Sequence, residues 1–598
     1  MEFEQKAEEK KMSMSKNIAR LAVTAGLTAA LSFGGVMAPV TMAFAAEGAV
    51  TTTNSITIKK NNDNGSVKYK AYQIFEADVV DESGKTGKTD KVVSNVKWAT
   101  GVNDATQKAI IKAINDYNEN NADDLKTDAS PQDVANWLTA NITGTTNTTV
   151  LKDTDLLNTL AGLVAEDVTP TNPTNPTGIT DGSFAADTKV SFEKSGYYLF
   201  LTDAGTLPSD ESKTDSKNTA TSPIYAVVGA GAVEVTEKTS IPTVNKQVFD
   251  DTAGKGSWKN VGDAWIGQVI DYKLTGTVAS NIASYDEYKY KFQDHLSVGL
   301  DADLSTVKVT IGDITIPLAD DSQPANGYTA SLTETRDDSG KSTGHDLTIS
   351  FDNLKAAAEA KGVTLNENSE VVVKYKATLT DKAEYTATGN TNEVKLVYSN
   401  NPMTSDTGTS TSKRVTDHVF RLDVTKVEKD NEGQKLEATF QVKMTKEGGK
   451  ELKDNRWLTQ TGGITDKEEK AGKFTTSKGT DKIYIPGLVA GTYEITECNT
   501  PAGYNTLAPF TITVNPTYDE DGTLTGLDVT PSNTEMVTPS TTNDATIPVT
   551  IKNKKGSGLP LTGLNGVTFT WIAGGAVLCI GVAHLIRSRK QAEESEQE

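Results

Sequence analysis

The stretch Phe420-Arg421-Leu422-Asp423-Val424-Thr425-Lys426 decides how the rest of the chain is read. In a strand, residues two apart share a face. Phe420, Leu422 and Val424 therefore make one apolar face, and the same phase runs on into Lys426. Two later stretches behave alike: Tyr493 and Ile495 continue into Glu497, and Val549 and Ile551 continue into Asn553. An amine, an acid and an amide thus fall in the buried phase of one β module.

The pattern recurs upstream. Val244 and Val248 share a face with Lys246 between them. Tyr288, Tyr290, Phe292 and Leu296 share a face that includes Asp294, and Val394, Leu396 and Tyr398 share one that Asn392 begins. Burying such groups unpaired is costly. Burial raises a carboxyl pKa and lowers an amine pKa. A neutral lysine is a nucleophile, and a protonated acid can polarise the asparagine carbonyl. Attack on the side-chain amide would expel ammonia and leave an uncharged Lys–Asn isopeptide. Asp294 and Glu497 are the expected promoting acids, Lys246–Asn392 and Lys426–Asn553 the expected bonds. This is self-modification once per module, so no turnover enzyme is expected. The competing reading makes each residue a strand-end polar group or a snorkelling lysine.

Other short alternating runs, among them Gly196 to Thr202, Glu370 to Leu379, Asn392 to Tyr398 and Ile547 to Asn553, are separated by Gly, Asn, Asp and Thr clusters. Such spacing predicts a mainly β chain of sandwiches. Helical pattern is confined to the first third. Ile110, Ala113, Ile114 and Tyr117 share a helical face. Ser130-Pro131 reads as a cap and first-turn proline ahead of Val134, Trp137 and Leu138. Leu156 to Val164 is a third candidate helix, and Val168 to Gly178 a Thr/Asn/Pro loop. Composition breaks near Glu237–Pro242 and across the Ser/Thr-rich Met403–Lys413 divide the chain into 46–237, 238–415 and 416–556.

The chain has 598 residues and a net charge of -21, with 36% apolar residues and a mean hydropathy of -0.41. These values argue against a polytopic membrane protein. The acidic balance argues against nucleic acid as a partner. Two cysteines and four histidines exclude a disulfide framework and disfavour a Cys/His metal centre. No metal and no cofactor is expected.

Both ends carry address signals. Lys16 and Arg20 precede an apolar run from Leu21 to Val40, and Ala43-Phe44-Ala45 fits a signal-peptidase site, so 1–45 is read as a signal peptide. At the other end Leu559-Pro560-Leu561-Thr562-Gly563 precedes an apolar run from Val567 to Ile586, long enough to cross a bilayer, then Arg587, Arg589 and Lys590. Together these parts, within 557–598, resemble the LPxTG cell-wall sorting signal of Gram-positive surface proteins. The resemblance implies cleavage by a sortase between Thr562 and Gly563 and transfer of the threonine carbonyl to an amine. The span then anchors the chain in the membrane only until cleavage. Without the ends, Cys498 is the one remaining thiol.

Pro242-Thr243-Val244-Asn245-Lys246-Gln247-Val248, Tyr290-Lys291-Phe292-Gln293-Asp294-His295-Leu296, and Asn392 with Tyr398-Ser399-Asn400-Asn401-Pro402 resemble the isopeptide-forming middle domain of Gram-positive, sortase-assembled fimbrial backbone pilins. Leu422 to Val427, Gly491 to Glu497 with Pro501-Ala502-Gly503-Tyr504, and Lys552-Asn553 resemble their CnaB-type terminal domain. The resemblance implies tandem Ig-like (Cna-type) sandwiches, with some helix in the N-terminal domain. It implies a secreted subunit of a cell-wall pilus. Its expected partners are a sortase, identical pilin subunits, minor pilins, peptidoglycan and host ligands engaged in adhesion. In that family the sortase joins the threonine to a lysine just before the middle domain, usually within Tyr-Pro-Lys. Here Lys238 matches by position, while the Tyr and Pro are absent. Strand phase turns Val233 and Val235 inward and Glu234, Thr236 and Lys238 outward. In the first module Lys60 is in phase with Ile56 and Ile58 but has no acid or Asn partner, so no third bond is expected.

The alternative is a monomeric wall-anchored adhesin of the same modules. A secreted hydrolase needs a catalytic constellation that the sequence lacks. Asp519-Glu520-Asp521-Gly522 lacks EF-hand spacing and reads as a hairpin turn. His295, His345 and His418 show no metal or triad spacing and read as surface or strand residues.

Overall fold

The computed structural model describes residues 54–556 except 62–63, 82–90, 119–123, 143–150, 152–154, 175–181, 208–217, 252–255, 477–481, 541 and 543. The export segment, Leu559–Gly563 and the apolar run that follows it lie outside the described residues. Among the described residues no helix is long and apolar enough to cross a membrane.

The described residues are mainly β, and their strands pair into six sheets that share cores two by two. In the first pair, Asn54–Lys59 lies between Lys189–Ser191 and Gly231–Thr236, while the larger sheet orders Lys91–Trp98, Lys68–Asp81, Gly196–Thr202 and Ile224–Val228. One face of this larger sheet meets the small sheet, and the other meets helices. Gly196–Thr202, expected to alternate, is therefore buried at every position, because both faces of its sheet are covered. The helices are Asp104–Tyr117, Pro131–Asn141 and Leu156–Asp167. Ser130 and Asp133 close a reciprocal capping box over Pro131. In the first helix the inward residues are Thr106, Ile110, Ile111 and Ile114, so Tyr117, expected on that face, is 50% exposed.

The middle pair spans residues 244–418. One sheet orders Ser257–Lys259, Val244–Asp250, Val269–Thr277, Glu370–Leu379, Leu300–Ile311 and Ile314–Ile316. The other orders Val261–Asp263, Lys413–His418, Asn390–Ser399, Tyr290–Ser297, Ser342–Phe351 and Thr329–Arg336. Within the Ser/Thr-rich Met403–Lys413 stretch, Thr407–Thr409 pairs with Asn390–Ser399. One sequence expectation is corrected here. Helix is not confined to the first third, because Asn353 caps a short helix at Leu354–Glu359.

In the last pair, Phe420–Glu428 is flanked by Thr546–Asn553 in parallel and Ile483–Leu488 antiparallel. The facing sheet centres on Ala438–Glu447, Gly491–Asn499 and Phe510–Tyr518. Asp519 Oδ1 accepts from the amides of Asp521 (3.0 Å) and Thr523 (2.8 Å), and Gly522 takes φ +81°. Asp519 to Gly522 is thus a hairpin turn.

Val419 alone separates the last strand of the middle pair from the first strand of the last pair. The joint is packed. His418 is fully buried rather than at the surface, with its ring 4.7 Å from that of Tyr518. Its Nε2–H donates to the Gly522 carbonyl at 2.8 Å, and burial holds its pKa down, so the ring is neutral. Asp263 accepts from the Ala490 amide across the joint, and burial pushes its carboxyl up to about 7.

An acid whose pKa is raised in the folded chain binds more protons there than when unfolded. Asp263 therefore favours the folded joint at low pH and loses that contribution as pH rises through about 7. The thermal midpoint is expected to fall between about pH 5 and about pH 8. Asp263→Asn, which keeps the acceptor, should make that fall shallower. An unchanged pH slope would place the titration elsewhere.

Candidate functional site: two buried lysine–acid–asparagine clusters

Lys246 sits in the strand Val244–Asp250 between buried Val244 and Val248, opposite Leu274 of the neighbouring strand. Asp294 and Asn392 come from the facing sheet. Asp294 pairs with Val394, and Asn392 lies opposite Leu296, so the two are diagonal neighbours on one inner face. The side chains of Lys246 and Asp294 are 0% exposed.

Lys246 Nζ donates to Asp294 Oδ1, and lies 3.2 Å from Tyr375 Oη. The Tyr375 hydroxyl donates to Asp294 Oδ2 at 2.6 Å and accepts from Asn392 Nδ2 at 2.7 Å. Asn392 Oδ1 is buried without a hydrogen-bond partner among the described residues. Burial pulls the Lys246 amine down to about 8, against the opposing pull of Asp294. Burial likewise raises the Asp294 carboxyl, against Lys246. Both shifts favour the neutral amine and the protonated acid.

Behind this cluster Tyr272 pairs in register with Tyr375, their rings stacked 5.3 Å apart, and its hydroxyl donates to Asp417. Burial raises Asp417 to about 7. Sequence reading missed Tyr375, Tyr272 and Asp417. The two tyrosines occupy inward strand positions and read as core. The one signal was that a buried tyrosine hydroxyl must find a partner. Asp417 was hidden by the boundary drawn through its strand.

The last cluster is built differently. Lys426 and Asn553 stand on adjacent parallel strands of one sheet, and Glu497 reaches in from the facing sheet. Lys426 Nζ donates to Asn553 Oδ1 and lies 3.2 Å from Glu497 Oε1. Asn553 Nδ2 donates to both carboxylate oxygens, each at 3.1 Å, and to the Asn505 carbonyl at 3.0 Å. Glu497 Oε2 also accepts from the Leu507 amide at 2.7 Å. The Phe440 ring lies 5.4 Å from the amine, and burial brings Lys426 down to about 8, against Glu497. In both clusters an amine, a carboxyl and a primary amide meet in an apolar core, the components of amide exchange with loss of ammonia.

Lys238 departs from its expected exposure. Val233 and Val235 are buried and Glu234 and Thr236 exposed, but Lys238 is half-buried. Its amide donates to Thr221 Oγ1 at 2.8 Å, and its carbonyl accepts from Ser222 at 3.1 Å, which lays it along the first module. Burial brings its amine down to about 8. The adjacent Glu237 is buried, taking hydrogen bonds from the Tyr69 hydroxyl, the Asn61 amide (2.6 Å) and Asn64 Nδ2 (3.0 Å). Lys60 is exposed beyond the end of its strand. Cys498, next to Glu497, is an exposed free thiol.

Residues 420–529 match the protein-family model described as SpaA, prealbumin-like fold domain. No curated protein matches the chain. Among solved structures, the chain is similar to the T6 backbone pilin of Streptococcus pyogenes serotype M6, with 15% identity and a TM-score of 0.47 over 84% of this chain and 99% of that one. It is also similar to the Corynebacterium diphtheriae major pilin SpaA, with 13% identity and a TM-score of 0.41 over 84% of this chain and 100% of that one. The Bacillus cereus major pilin subunit BcpA gives 15% identity and a TM-score of 0.31 over 63% and 89%.

Strand phase separates neighbours sharply at the last cluster. Glu497→Ala removes the acceptor of Leu507 and the partner of a buried lysine, and is expected to destabilise the last module by about 3–5 kcal/mol. Cys498→Ser, one residue on and exposed, should stay within about 0.5 kcal/mol. Denaturant midpoints of the two variants measure the contrast.

Proposed function

We propose that the chain is the structural subunit of a covalently polymerised surface pilus. A sortase cleaves after Thr562 and joins that threonine to Lys238 of the next subunit. Lys246–Asn392 and Lys426–Asn553 isopeptides, promoted by Asp294 and Glu497, form within each subunit. The observation that carries this reading is the pair of buried amine–acid–amide clusters, each closed by hydrogen bonds in the core of its own sandwich. Maintaining a buried ion pair is expensive unless it is neutralised, and amide formation neutralises it permanently.

In each reaction the neutral lysine nitrogen attacks the asparagine Cγ. The new C–N bond forms, the C–Nδ2 bond breaks, and the amide nitrogen leaves as ammonia. It takes one proton from the attacking amine by way of the acid, which is regenerated. The neutral fraction of an amine with a pKa of about 8 is already appreciable at neutral pH, whereas that of an ordinary surface lysine is about a thousandth. The same argument favours Lys238 as an acceptor. Its half-burial leaves it reachable while lowering its pKa to about 8.

Three modules, 46–237, 238–415 and 416–556, then stand between a removed signal peptide and the sorting signal. The wall, through peptidoglycan, is the final anchor. Minor pilins and host ligands are further partners of such a fibre.

The intact mass of residues 46–557 should fall short of the sequence mass by two ammonia molecules, and by one in each of Asp294→Ala and Glu497→Ala. A mass equal to the sequence would remove the isopeptide reading. Wall extracts should contain a ladder of very large, detergent-resistant species that disappears in Lys238→Ala. A single wall-linked band in the unaltered chain would make it a monomeric adhesin instead.

A further inference from the structure

The two clusters differ at the link between acid and amide. In the last module Glu497 touches the Asn553 amide directly. In the middle module the acid is an aspartate, one methylene shorter. Among the described residues no hydrogen bond joins Asp294 to Asn392, and the Tyr375 hydroxyl stands between them. It also lies 3.2 Å from the Lys246 amine. Tyr375 therefore contacts all three members of the cluster, and it comes from the sheet opposite Asp294 and Asn392.

We propose that Tyr375 is a catalytic residue of Lys246–Asn392 bond formation, its hydroxyl passing the proton between Asp294 and the leaving amide nitrogen. This rests on the isopeptide reading given above. At rest the hydroxyl donates to Asp294 Oδ2 and accepts from Asn392 Nδ2. When Lys246 gives its proton to Asp294, the acid becomes a donor to the tyrosine oxygen, while the planar amide nitrogen still donates. Attack of the lysine nitrogen on Cγ then makes the amide nitrogen tetrahedral and basic. Tyr375 gives that nitrogen its hydroxyl proton and takes one from Asp294. The C–Nδ2 bond breaks and ammonia leaves. The excess proton on the attacking nitrogen returns to Asp294. Atoms and charge balance without any added reagent.

The hydroxyl acts as a two-way conductor and never needs to ionise. That suits its setting, because burial, reinforced by Asp294, holds its pKa well above the ordinary tyrosine value. Tyr272 provides the internal comparison. It is stacked on Tyr375 and equally buried, but its hydroxyl donates to Asp417 and meets the cluster at Asn392, not at Asp294.

The test is a time course of intact mass on the full chain, synthesised cell-free and quenched in acid at intervals, with the cross-linked peptides identified after digestion. Tyr375→Phe keeps the ring and its stacking. It should slow loss of the middle-module ammonia by about 100-fold or more, the usual scale of a positioned acid–base group, and leave the last-module ammonia loss unchanged. Tyr272→Phe leaves the Asp294–Tyr375–Asn392 chain intact and should slow the middle-module loss far less than Tyr375→Phe does. In the double variant Asp294→Glu with Tyr375→Phe, the longer acid should reach the amide as Glu497 does and restore the bond. A Tyr375→Phe chain that loses both ammonias at the unaltered rate overturns the proposal, as does equal slowing by Tyr272→Phe, which would make packing the cause. An unaltered chain that never loses the middle-module ammonia sinks the underlying isopeptide reading and this proposal with it.

Discussion

The cost of keeping an ammonium ion away from water governs both sandwiches. Lys246 and Lys426 have no exposed side-chain surface, and each is ringed by aromatic and aliphatic residues. Such a position is tolerable only with an acid at contact distance and further hydrogen bonds around the pair. Hence the diagonal placement of Asp294 and Asn392, the inward reach of Glu497, and the tyrosine whose hydroxyl occupies the space left by a short acid. The apolar neighbours exclude water, and that exclusion moves both amines, and the Asp294 carboxyl, toward their neutral forms. The same burial that threatens the fold prepares the chemistry.

The two modules solve this with different strand arrangements. In the middle module the lysine and asparagine belong to opposite sheets, so a bond between them staples the two layers of the sandwich. In the last module both stand on adjacent strands of one sheet, and the acid comes from across the core. Equivalent residue types at equivalent points of the chain thus do not imply superposable sites. The two sites differ in which sheet supplies the acid and in the length of its side chain, and the shorter Asp294 does not touch the amide.

Much of this was legible in the alternation of side chains. A period of two assigned Lys246, Asp294, Asn392, Lys426, Glu497 and Asn553 to inner faces, because each is embedded among apolar residues of the same phase and one face of each strand is solvated. The method fails where that asymmetry is missing. Gly196–Thr202 is covered on both sides and carries no phase. Leu354–Glu359 is too short for a helical period to register. Tyr375 is invisible for the opposite reason, since an inward tyrosine satisfies the core pattern and nothing in sequence tells where its hydroxyl points. Lys238 was placed outward by phase, but it lies beyond the end of its strand, where contacts with Thr221 and Ser222 set its exposure.

The parallel pairing of Phe420–Glu428 with Thr546–Asn553 has a mechanical corollary. A chain pulled from its two ends loads these strands in shear, because force enters at Phe420 and leaves at Asn553 in opposite directions along neighbouring strands. Were Lys426 and Asn553 joined as proposed, tension would cross from one strand to the other at that point, and residues 427–552 would lie on a slack branch bearing none of the load. The facing sheet, its hairpin and the exposed Cys498 sit on that branch. Local opening of that branch would then leave the chain's extension under tension unchanged.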